Sequence, residues 1–441
     1  IKGSAASIFI QYGTSDSLNE DFEGYPTLRL NELNNLFIEY PAKYCNSLST
    51  DQFKSLKLKK NDVVICRTNG NPNLVGKTAI ILEDTEYAFA SYLFRVRTNN
   101  KVLLPQVLVC YLNTKYGRAE VDKHSMTSNQ TNFSPARFRK IQIPKFSTNF
   151  QSKIEQVVNQ AYQLKTSSFR HFENATKTLL VELNLETWQP PKLTFTIGGV
   201  PFQTDDNINE IQLDQVLKSN RIDSEYWQSY LVDLEDKVKS YSEGYAELSA
   251  ICKIHSENYV PKSDQEYRYI ELSNIGGYGN VTGHTLDYGK NLPTRARRKV
   301  KTGQVIISSI EGSIDKCALI TKSNNDSICT NGFHVIDSDS INSETLIVIM
   351  KSLPFQNLLI KGCSGTILQA INPYFFGKLI IPKVKNNTQQ SIKDSITKMY
   401  AEREFADQLI EIGKKATELY VEKDESTGLK YITGQCKELG L

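Results

Sequence analysis

Two short segments carry residue types and spacings that are typical of enzyme sites. The first reads GNPNLVGKT from Gly70 to Thr78 and is similar to a phosphate-binding loop, which cradles a nucleotide with backbone N–H groups. Such a loop needs four residues between its glycines and a helix after them. Here five residues, including Pro72, separate Gly70 from Gly76, and the apolar run from Thr78 to Leu82 predicts a strand. The spacing therefore argues against nucleotide binding.

The second segment, Asn372–Phe375, reads NPYF and is similar to the NPPY motif of amino-methyltransferases. It lacks the second proline, and no glycine-rich cofactor loop precedes it. The histidines share no motif, and nothing in their spacing indicates a Ser/His/Asp group. They are His124, His171, His255, His284 and His334. We therefore expect no catalytic residue and no cofactor.

The eight cysteines are scattered, with no C-x-x-C pair and no histidine at metal-ligand spacing. Most lie in apolar runs, so we expect reduced core cysteines in a cytoplasmic protein and no metal site. The 441 residues carry a net charge of +3, which alone indicates no class of partner. No run approaches the roughly 18–20 apolar residues of a membrane span, so no membrane partner is expected. The start at Ile1, without a signal pattern or a Met, suggests numbering that begins inside a longer gene product.

The chain contains an internal repeat at a spacing of about 240 residues. Four blocks recur in the same order: Tyr25–Asn35 with Tyr267–Gly277, Lys60–Ile65 with Lys301–Ile306, Ile141–Lys145 with Leu379–Lys383, and Ile154, Val158 and Tyr162 with Ile392, Ile396 and Tyr400. Each half starts with short β-rich runs and continues with a shorter helical piece, at Pro105–Tyr116 and Ser343–Leu353. The repeat predicts two similar mixed α/β domains.

A long amphipathic segment follows in each half, at residues 150–185 and 387–422. Apolar residues at spacings of three and four, without a proline, predict helices of about 54 Å at about 1.5 Å per residue. We expect the two helices to pack as an antiparallel pair, the alternative being that each packs on its own domain. The predicted class is α+β, with a pseudo-two-fold internal repeat. The predicted divisions are a first domain 1–148, a helix 149–188, a connector 189–222 with a hairpin near Gly198-Gly199, a second domain 223–385, a second helix 386–423 and a C-terminal tail 424–441.

This layout and several short motifs resemble the specificity (S) subunit of type I restriction-modification systems. Asp62–Lys77 is similar to the family's RTN…LVGK loop. Leu292–Ser308 is similar to its SRAR…GDILIS stretch, although Gln304 replaces the acidic residue. Arg221–Trp227 is similar to RLDAEYY, which precedes a recognition domain, and no such motif precedes the first domain because the chain starts too late.

The resemblance implies a protein without chemistry of its own. Each domain would be a target-recognition domain that binds one half of a split DNA sequence, and the helices would be the spacer. A helix of about 54 Å spans more than one DNA turn of about 34–36 Å. The implied partners are double-stranded DNA, methyltransferase (modification) subunits, two in number, and restriction/translocase subunits. Two alternatives stay open: the C-terminal DNA-recognition region of a single-chain restriction-methylase, and a helical scaffold that binds only protein.

DNA binding would need cations for phosphates and polar loop side chains for base edges. The phosphate candidates precede a central strand in each half: Lys57, Lys59 and Lys60, then Arg295, Arg297, Arg298 and Lys301. The repeat pairs Lys57 with Arg298 and Lys60 with Lys301. The base-reading candidates of the first half are Arg67, Thr68, Asn69, Asn71, Asn73, Thr127, Asn129 and Gln130. Those of the second half are Ser309, Glu311, Ser313, Lys316, Thr366 and Gln369.

The side-chain chemistry suggests which base each candidate would read. Arg67 would grip guanine, an amide side chain would pair with adenine, and Glu311 would accept from cytosine. For each candidate the alternative is a turn residue that satisfies its own backbone.

Overall fold

Runs of β-branched residues form the buried strands of this chain. Val63, Val64 and Ile65 have no exposed surface and lie in the strand Asp62–Cys66. Branching at Cβ restricts these side chains to rotamers that suit a pleated, packed strand. The computed structural model describes residues 1–127, 130–191, 195–197, 200–202, 211–365 and 369–441.

The strands of the first half and the connector are β1 Ser7–Tyr12, β2 Tyr25–Leu28, β3 Leu33–Asn34, β4 Phe37–Ile38, β5 Tyr44–Cys45, β6 Asp62–Cys66, β7 Thr68–Asn69, β8 Thr78–Ile80, β9 Ala88–Phe89, β10 Leu93–Thr98, β11 Met126–Thr127, β12 Thr131–Asn132, β13 Phe195–Ile197 and β14 Val200–Phe202. Those of the second half are β15 Tyr245–Glu247, β16 Lys253–His255, β17 Glu266–Ile270, β18 Thr285–Tyr288, β19 Ala296–Lys299, β20 Val305–Ser308, β21 Cys317–Leu319, β22 Ile328–Thr330, β23 Phe333–Asp337, β24 Cys363–Ser364, β25 Ala370–Ile371 and β26 Ile380–Pro382.

The helices are α1 Gly3–Ala6, α2 Thr50–Leu56, α3 Pro105–Leu112, α4 Lys115–His124, α5 Pro135–Phe138, α6 Thr148–Glu182, α7 Leu213–Ser219, α8 Ser229–Lys239, α9 Leu248–Ile251, α10 Ser343–Lys351, α11 Leu353–Lys361, α12 Pro373–Lys378, α13 Asn386–Glu422 and α14 Glu425–Glu438. The residues divide into two units, unit 1 with Ile1–Ser167 and Glu402–Leu441, and unit 2 with Ser168–Ala401. The predicted α+β class is confirmed.

Unit 1 is built on an antiparallel sheet with the strand order β1-β10-β6-β8. Side chains of β6 point alternately to two core clusters, because successive residues of a strand face opposite sides. Val63 and Ile65 pack in the cluster that contains α3, α6 and α13, whereas Val64 and Cys66 pack with a second sheet, β5-β2-β9. Burial on both faces makes β6 the central strand of unit 1.

Unit 2 contains a sheet of the same strand arrangement, in the order β16-β23-β20-β21. Val305 and Ile307 of β20 pack in the cluster with α10 and α11, and Ile306 packs in another cluster with Ala318 and Val335. A second sheet, β18-β17-β22-β19, includes the parallel pair β17 and β22, as unit 1 includes the parallel pair β2 and β9. The strand β20 is therefore the central strand of unit 2.

The two long helices are present as predicted, at Thr148–Glu182 and Asn386–Glu422. Within unit 1 they run antiparallel, since Phe150 lies against Tyr420 at 4.6 Å between ring centres and Lys165 pairs with Asp407 at 3.2 Å. Within unit 2 the Glu182 carboxylate bonds Lys385 at 3.0 Å. The α6 residues Phe172 and Leu179 share a core cluster of unit 2 with the α13 residues Ile392 and Met399, so both long helices contribute to the core of each unit.

The region expected to be a C-terminal tail contains α14, which packs on the helix pair of unit 1. Gly428 of α14 lies so close that a Cβ atom there would be 3.0 Å from the Ala416 carbonyl oxygen. The predicted hairpin near Gly198-Gly199 has its turn outside the described residues, and its arms β13 and β14 pair antiparallel. All eight cysteines are free, and seven are buried. No helix of the described ranges has the apolar length needed to pass through a lipid bilayer.

Candidate nucleic-acid interface

A small ribbon in unit 1 joins two loops that are far apart in sequence. β7 follows the central strand β6, pairs with β12, and β12 pairs with β11. The Thr68 hydroxyl donates to the Thr131 carbonyl at 3.0 Å and lies 3.3 Å from the Gln130 amide oxygen, while Phe133 N–H donates to the Arg67 carbonyl at 2.7 Å. The structure therefore brings the two predicted base-reading loops of the first half together.

The asparagines of the first loop differ in how much of their side chain is engaged. Asn69 accepts from the N–H of Asn71 at 2.8 Å, and Asn71 accepts from the N–H of Asn73 at 3.0 Å. Both are side-chain turns of the kind that asparagine forms with its own backbone. Among the described residues, nothing bonds the side chain of the exposed Asn73. Because adenine recognition uses both amide atoms, Asn73 suits it best of the three.

Arg67 lies at the start of this ribbon with its guanidinium against an aromatic ring. Its Cζ is 5.1 Å from the ring centre of Tyr12, at the end of β1, and its Nε is buried without an acceptor. Its backbone N–H donates to the Tyr92 carbonyl at 2.7 Å. Sequence reasoning missed Tyr12 and Tyr92, since only strand register brings them to Arg67.

Unit 2 repeats the same main-chain bonds at the end of β20. Ser309 N–H donates to the Gly332 carbonyl at 2.9 Å, and Ile371 N–H donates to the Ser309 carbonyl at 2.8 Å. Ile310 forms a bridge with Ala370. Ser309 therefore matches Arg67, and the second pair of predicted loops also lies together.

Glu311 and Gln369 meet across these two loops. Glu311 N–H donates to the Gln369 carbonyl at 3.1 Å, and the Gln369 amide, oriented to donate, bonds the Glu311 carboxylate. Burial raises the pKa of Glu311, and the nearby Glu225 carboxylate adds to this effect. Cytosine reading by Glu311 would therefore involve Gln369 as well.

The remaining polar candidates of unit 2 are engaged in turns. The Ser309 hydroxyl donates to the Gly332 carbonyl at 3.0 Å, the Ser313 hydroxyl donates to the Ile310 carbonyl at 3.3 Å, and Lys316 lies 3.5 Å from the Asp315 carboxylate. Asn129 and Thr366 lie outside the described residues, and only the backbone of Thr127 is described.

Arg221, in the motif Arg221–Trp227, holds the two-stranded ribbon of β24 and β25 in unit 2. The guanidinium forms two bonds of 2.5 Å with the Asp223 carboxylate and donates to the Cys363 carbonyl in β24 at 2.9 Å. It lies between the rings of Tyr226 and Phe375, 4.9 Å from each ring centre. Arg221 thus holds β24, one strand of the β24–β25 ribbon, in place.

The lysine candidates for phosphate contact lie away from these loops. Lys59 and Lys60 precede β6 and Lys301 precedes β20, so the central strands separate them from the loops by about 17 Å in unit 1 and about 13 Å in unit 2, at about 3.3 Å per residue. The Lys59 N–H donates to Asp62 and the Lys301 N–H donates to Gln304, so Lys301 matches Lys59 rather than Lys60. The expected pairing is therefore wrong by one residue.

Lys57 and its structural match in unit 2, Lys299, are engaged in ion pairs. Lys57 pairs with Glu86, and Lys299 pairs with Asp326 at 3.1 Å. The two lysines hold equivalent places in their units, and in both units a carboxylate neutralises the cation.

The arginine candidates lie nearer the loop end of unit 2 and are engaged there. Asn331 N–H donates to the Arg295 carbonyl, and the Arg295 side chain bonds Glu271 at 3.1 Å. Arg297 donates to the Thr294 carbonyl at 2.7 Å. Arg298 donates to the Ser256 carbonyl at 2.5 Å and to Asn258 at 2.8 Å.

Two arginines that sequence reasoning missed border the loops of unit 1. Arg118 donates to the Val75 carbonyl at 2.6 Å, and Arg137 donates to the His124 carbonyl at 2.8 Å. They lie on α4 and α5, and no local sequence pattern distinguishes them from ordinary surface cations.

The two enzyme-like segments have structural roles. Pro72–Leu74 is a short helical turn and Thr78–Ile80 is a strand, as predicted, so no helix N-terminus follows Gly76. Asn372 caps α12 by accepting from Phe375 N–H at 3.0 Å. Within the described ranges, no three His, Cys, Asp or Glu side chains group as metal ligands.

Comparison with known proteins gives similarity in structure only. No protein-family model matches the chain, and no curated protein matches it. Similar solved structures include a type I restriction-modification S subunit from M. genitalium (13% identity, 98% of this chain, 95% of that chain, TM-score 0.32) and the HsdS subunit from Thermoanaerobacter tengcongensis (11%, 96%, 96%, 0.31). A third comes from work on complex assembly and conformational transition of the type I R-M system (10%, 95%, 96%, 0.30).

All three belong to the type I systems that the sequence motifs resemble. Because their TM-scores lie near 0.3, these superpositions carry no argument about the function of this chain.

Proposed function

We propose that this chain is the sequence-recognition subunit of a type I restriction-modification complex. Each unit would bind one half of a bipartite DNA target, and the chain would dock methyltransferase and restriction subunits without performing catalysis. The observation that carries the proposal is the shared construction of the two units. In each, two polar loops from distant parts of the sequence are joined by the same main-chain bonds, at Arg67 and at Ser309.

This construction suits base reading for a physical reason. The ribbon bonds are made by backbone groups, so the side chains at the loop ends are held on rigid elements and are available to base edges. In unit 1 these include Arg67 and Asn73, and in unit 2 they include the Glu311–Gln369 pair. Exposed cations such as Lys60 and Lys301, which lie at the opposite end of each central strand from the loops, would add only long-range, sequence-independent attraction to phosphates.

The experiment uses the full chain with its methyltransferase subunits and a library of random DNA duplexes. We expect methylation mapping to return two short defined segments separated by an undefined spacer. The logarithm of the DNA-binding constant should also fall linearly with the logarithm of the salt concentration. A single continuous target would contradict the two-site proposal, and equal affinity for all duplexes would overturn the recognition role.

A matched pair of variants tests which unit reads which half of the DNA target. Asn73→Ala should relax the preference at one base pair of one half-site, and Glu311→Gln should do so in the other. Each variant is the control for the other, since the untouched half-site must keep its preference. If both changes affect the same half-site, the assignment of one unit to each half is wrong.

A further inference from the structure

One corner of unit 1 places an arginine guanidinium over an aromatic ring. Tyr12 lies opposite Phe94 at the end of β1, and Arg67 follows β6 two strands away. The Arg67 guanidinium lies over the Tyr12 ring at 5.1 Å. Tyr12 is 44% exposed, so this corner is open to a large ligand.

Arg67 differs from the neighbouring arginines in the hydrogen bonds of its guanidinium group. Arg95 and Arg97 bond the Asp62 carboxylate, and Arg118 bonds a backbone carbonyl. Within the described ranges no group accepts from the two terminal nitrogens of Arg67, and its Nε is buried. The two terminal nitrogens of the Arg67 guanidinium can therefore donate together to a ligand, as a bidentate contact requires.

The matching corner of unit 2 lacks this chemistry. Main-chain bonds match Ser309 to Arg67 and Gly332 to Tyr92. Ser256 follows β16 at the register position that Tyr12 holds in β1. The aromatic and cationic groups of unit 1 are thus replaced together by small residues.

The guanidinium near that corner of unit 2 is already engaged. Arg298 donates to the Ser256 carbonyl and to the Asn258 side chain. The two units consequently offer different groups to a ligand from the same position in the fold.

We propose that Tyr12 is a positioning residue that holds Arg67 ready to bind one guanine, in the half-site that unit 1 reads. This inference rests on the proposed function and goes beyond it by naming a base and the residue that prepares its reader. Arginine bonds guanine through O6 and N7 in the major groove. The half-site read by unit 2 then has no bidentate arginine–guanine contact at the equivalent position, which Ser309 holds.

The ring acts by restricting the guanidinium before DNA arrives. A free arginine side chain loses rotamer entropy when it is fixed, and a stacked one has lost part of this already. The cation–π attraction at an exposed site adds a further, smaller stabilisation of the same orientation. Tyr12 should therefore affect discrimination at one base pair and leave overall DNA affinity nearly unchanged.

The test measures binding of the full chain with its methyltransferase subunits to duplexes that vary at one base pair at a time. Arg67→Ala should lower the guanine preference at one position about 10–100-fold. Tyr12→Leu should lower it at the same position about 2–5-fold, because the apolar bulk stays and the ring face is lost. Tyr12→Phe should keep the wild-type preference.

Tyr288→Leu is the matched control. Tyr288 is 48% exposed and lies 6.0 Å from the Lys290 ammonium, but it is in unit 2. This variant should leave the guanine position unchanged. Thermal unfolding of each variant tests whether a loss of guanine preference reflects a loss of folding. If Tyr12→Leu unfolds, Tyr12→Phe can still refute the proposal, because it must keep the wild-type preference.

Three outcomes would overturn the inference. Uniform weakening on all duplexes by Arg67→Ala would make Arg67 a phosphate contact. Equal guanine preference in Tyr12→Leu and wild type would remove the positioning role while leaving the proposed function intact. Absence of any preferred duplex for the wild-type complex would reject both.

Discussion

The buried carboxylate of Asp62 supports the central sheet of unit 1, and its removal should destabilise that unit strongly. Asp62 has no exposed surface, and its two oxygens bond Arg97 Nε at 2.6 Å and Arg95 Nη1 at 3.3 Å. Arg95 is only 3% exposed. In Asp62→Asn the shape is kept, but the negative charge between the two guanidinium groups is lost.

The magnitude follows from what remains around Arg95. Breaking one partner of a fully buried ion pair costs about 3–5 kcal/mol. Here Arg95 keeps bonds to the carbonyls of Lys57 at 2.7 Å and Ser55 at 2.6 Å, and Arg97 has access to water. We therefore expect a loss of about 2–4 kcal/mol in the free energy of unfolding, below the full value.

Hydrogen exchange of the full chain, read by mass spectrometry, would measure this loss where it occurs. Amides of β1, β6 and β10 should lose protection, and amides of β16, β20 and β23 should not. Asp51→Asn is the control, because it makes the same change on a side chain that is 94% exposed and should shift stability by less than about 0.5 kcal/mol. Wild-type protection of β6 in Asp62→Asn would refute this account of the sheet.

Three further predictions concern unit 2. Gln304→Glu places a second carboxylate about 3.2 Å from Asp337. Repulsion between the two should lower the free energy of unfolding by about 1–2 kcal/mol at neutral pH, and by less at acid pH where one carboxyl is protonated. Urea unfolding at two pH values would measure this difference. Arg221→Gln should speed amide exchange in β24 and β25 and relax recognition of one half-site only. Hydrogen bonding by Tyr241 lowers the pKa of Glu182 below its ordinary 4.5, so the stabilisation is present above that value and lost as pH falls; Glu182→Gln should flatten the acid branch of the unfolding curve.

Much of the fold could be predicted because its signals are local. The apolar runs at Val63–Ile65 and Val305–Ile307 and the uninterrupted periodicity of the two long segments indicated the strands and helices that form. The loops that carry Arg67 and Ser309 were predicted as groups, and the ribbons show why the two loops of each half belong together.

The rest depends on contacts that no local pattern encodes. Tyr12 reaches Arg67 only through the register of β1, β10 and β6. The partners Tyr12 and Phe94 in β1 and β10 are 82 residues apart in sequence, and the partners Leu93 and Cys66 in β10 and β6 are 27 residues apart. The commitment of Lys57 to Glu86 and of Arg298 to Asn258 depends in the same way on distant partners. A run of cations in sequence therefore overstated the charge that is free to meet a ligand.

The main-chain character of the ribbon bonds has a consequence for how this protein can evolve. Arg67 and Ser309 make the same two backbone bonds although their side chains share nothing. Mutation at such a position changes the group presented outward without removing a bond that holds the loop. Under the proposed function, single substitutions or exchange of loop segments would therefore change the DNA preference while the main-chain scaffold of each unit stays the same.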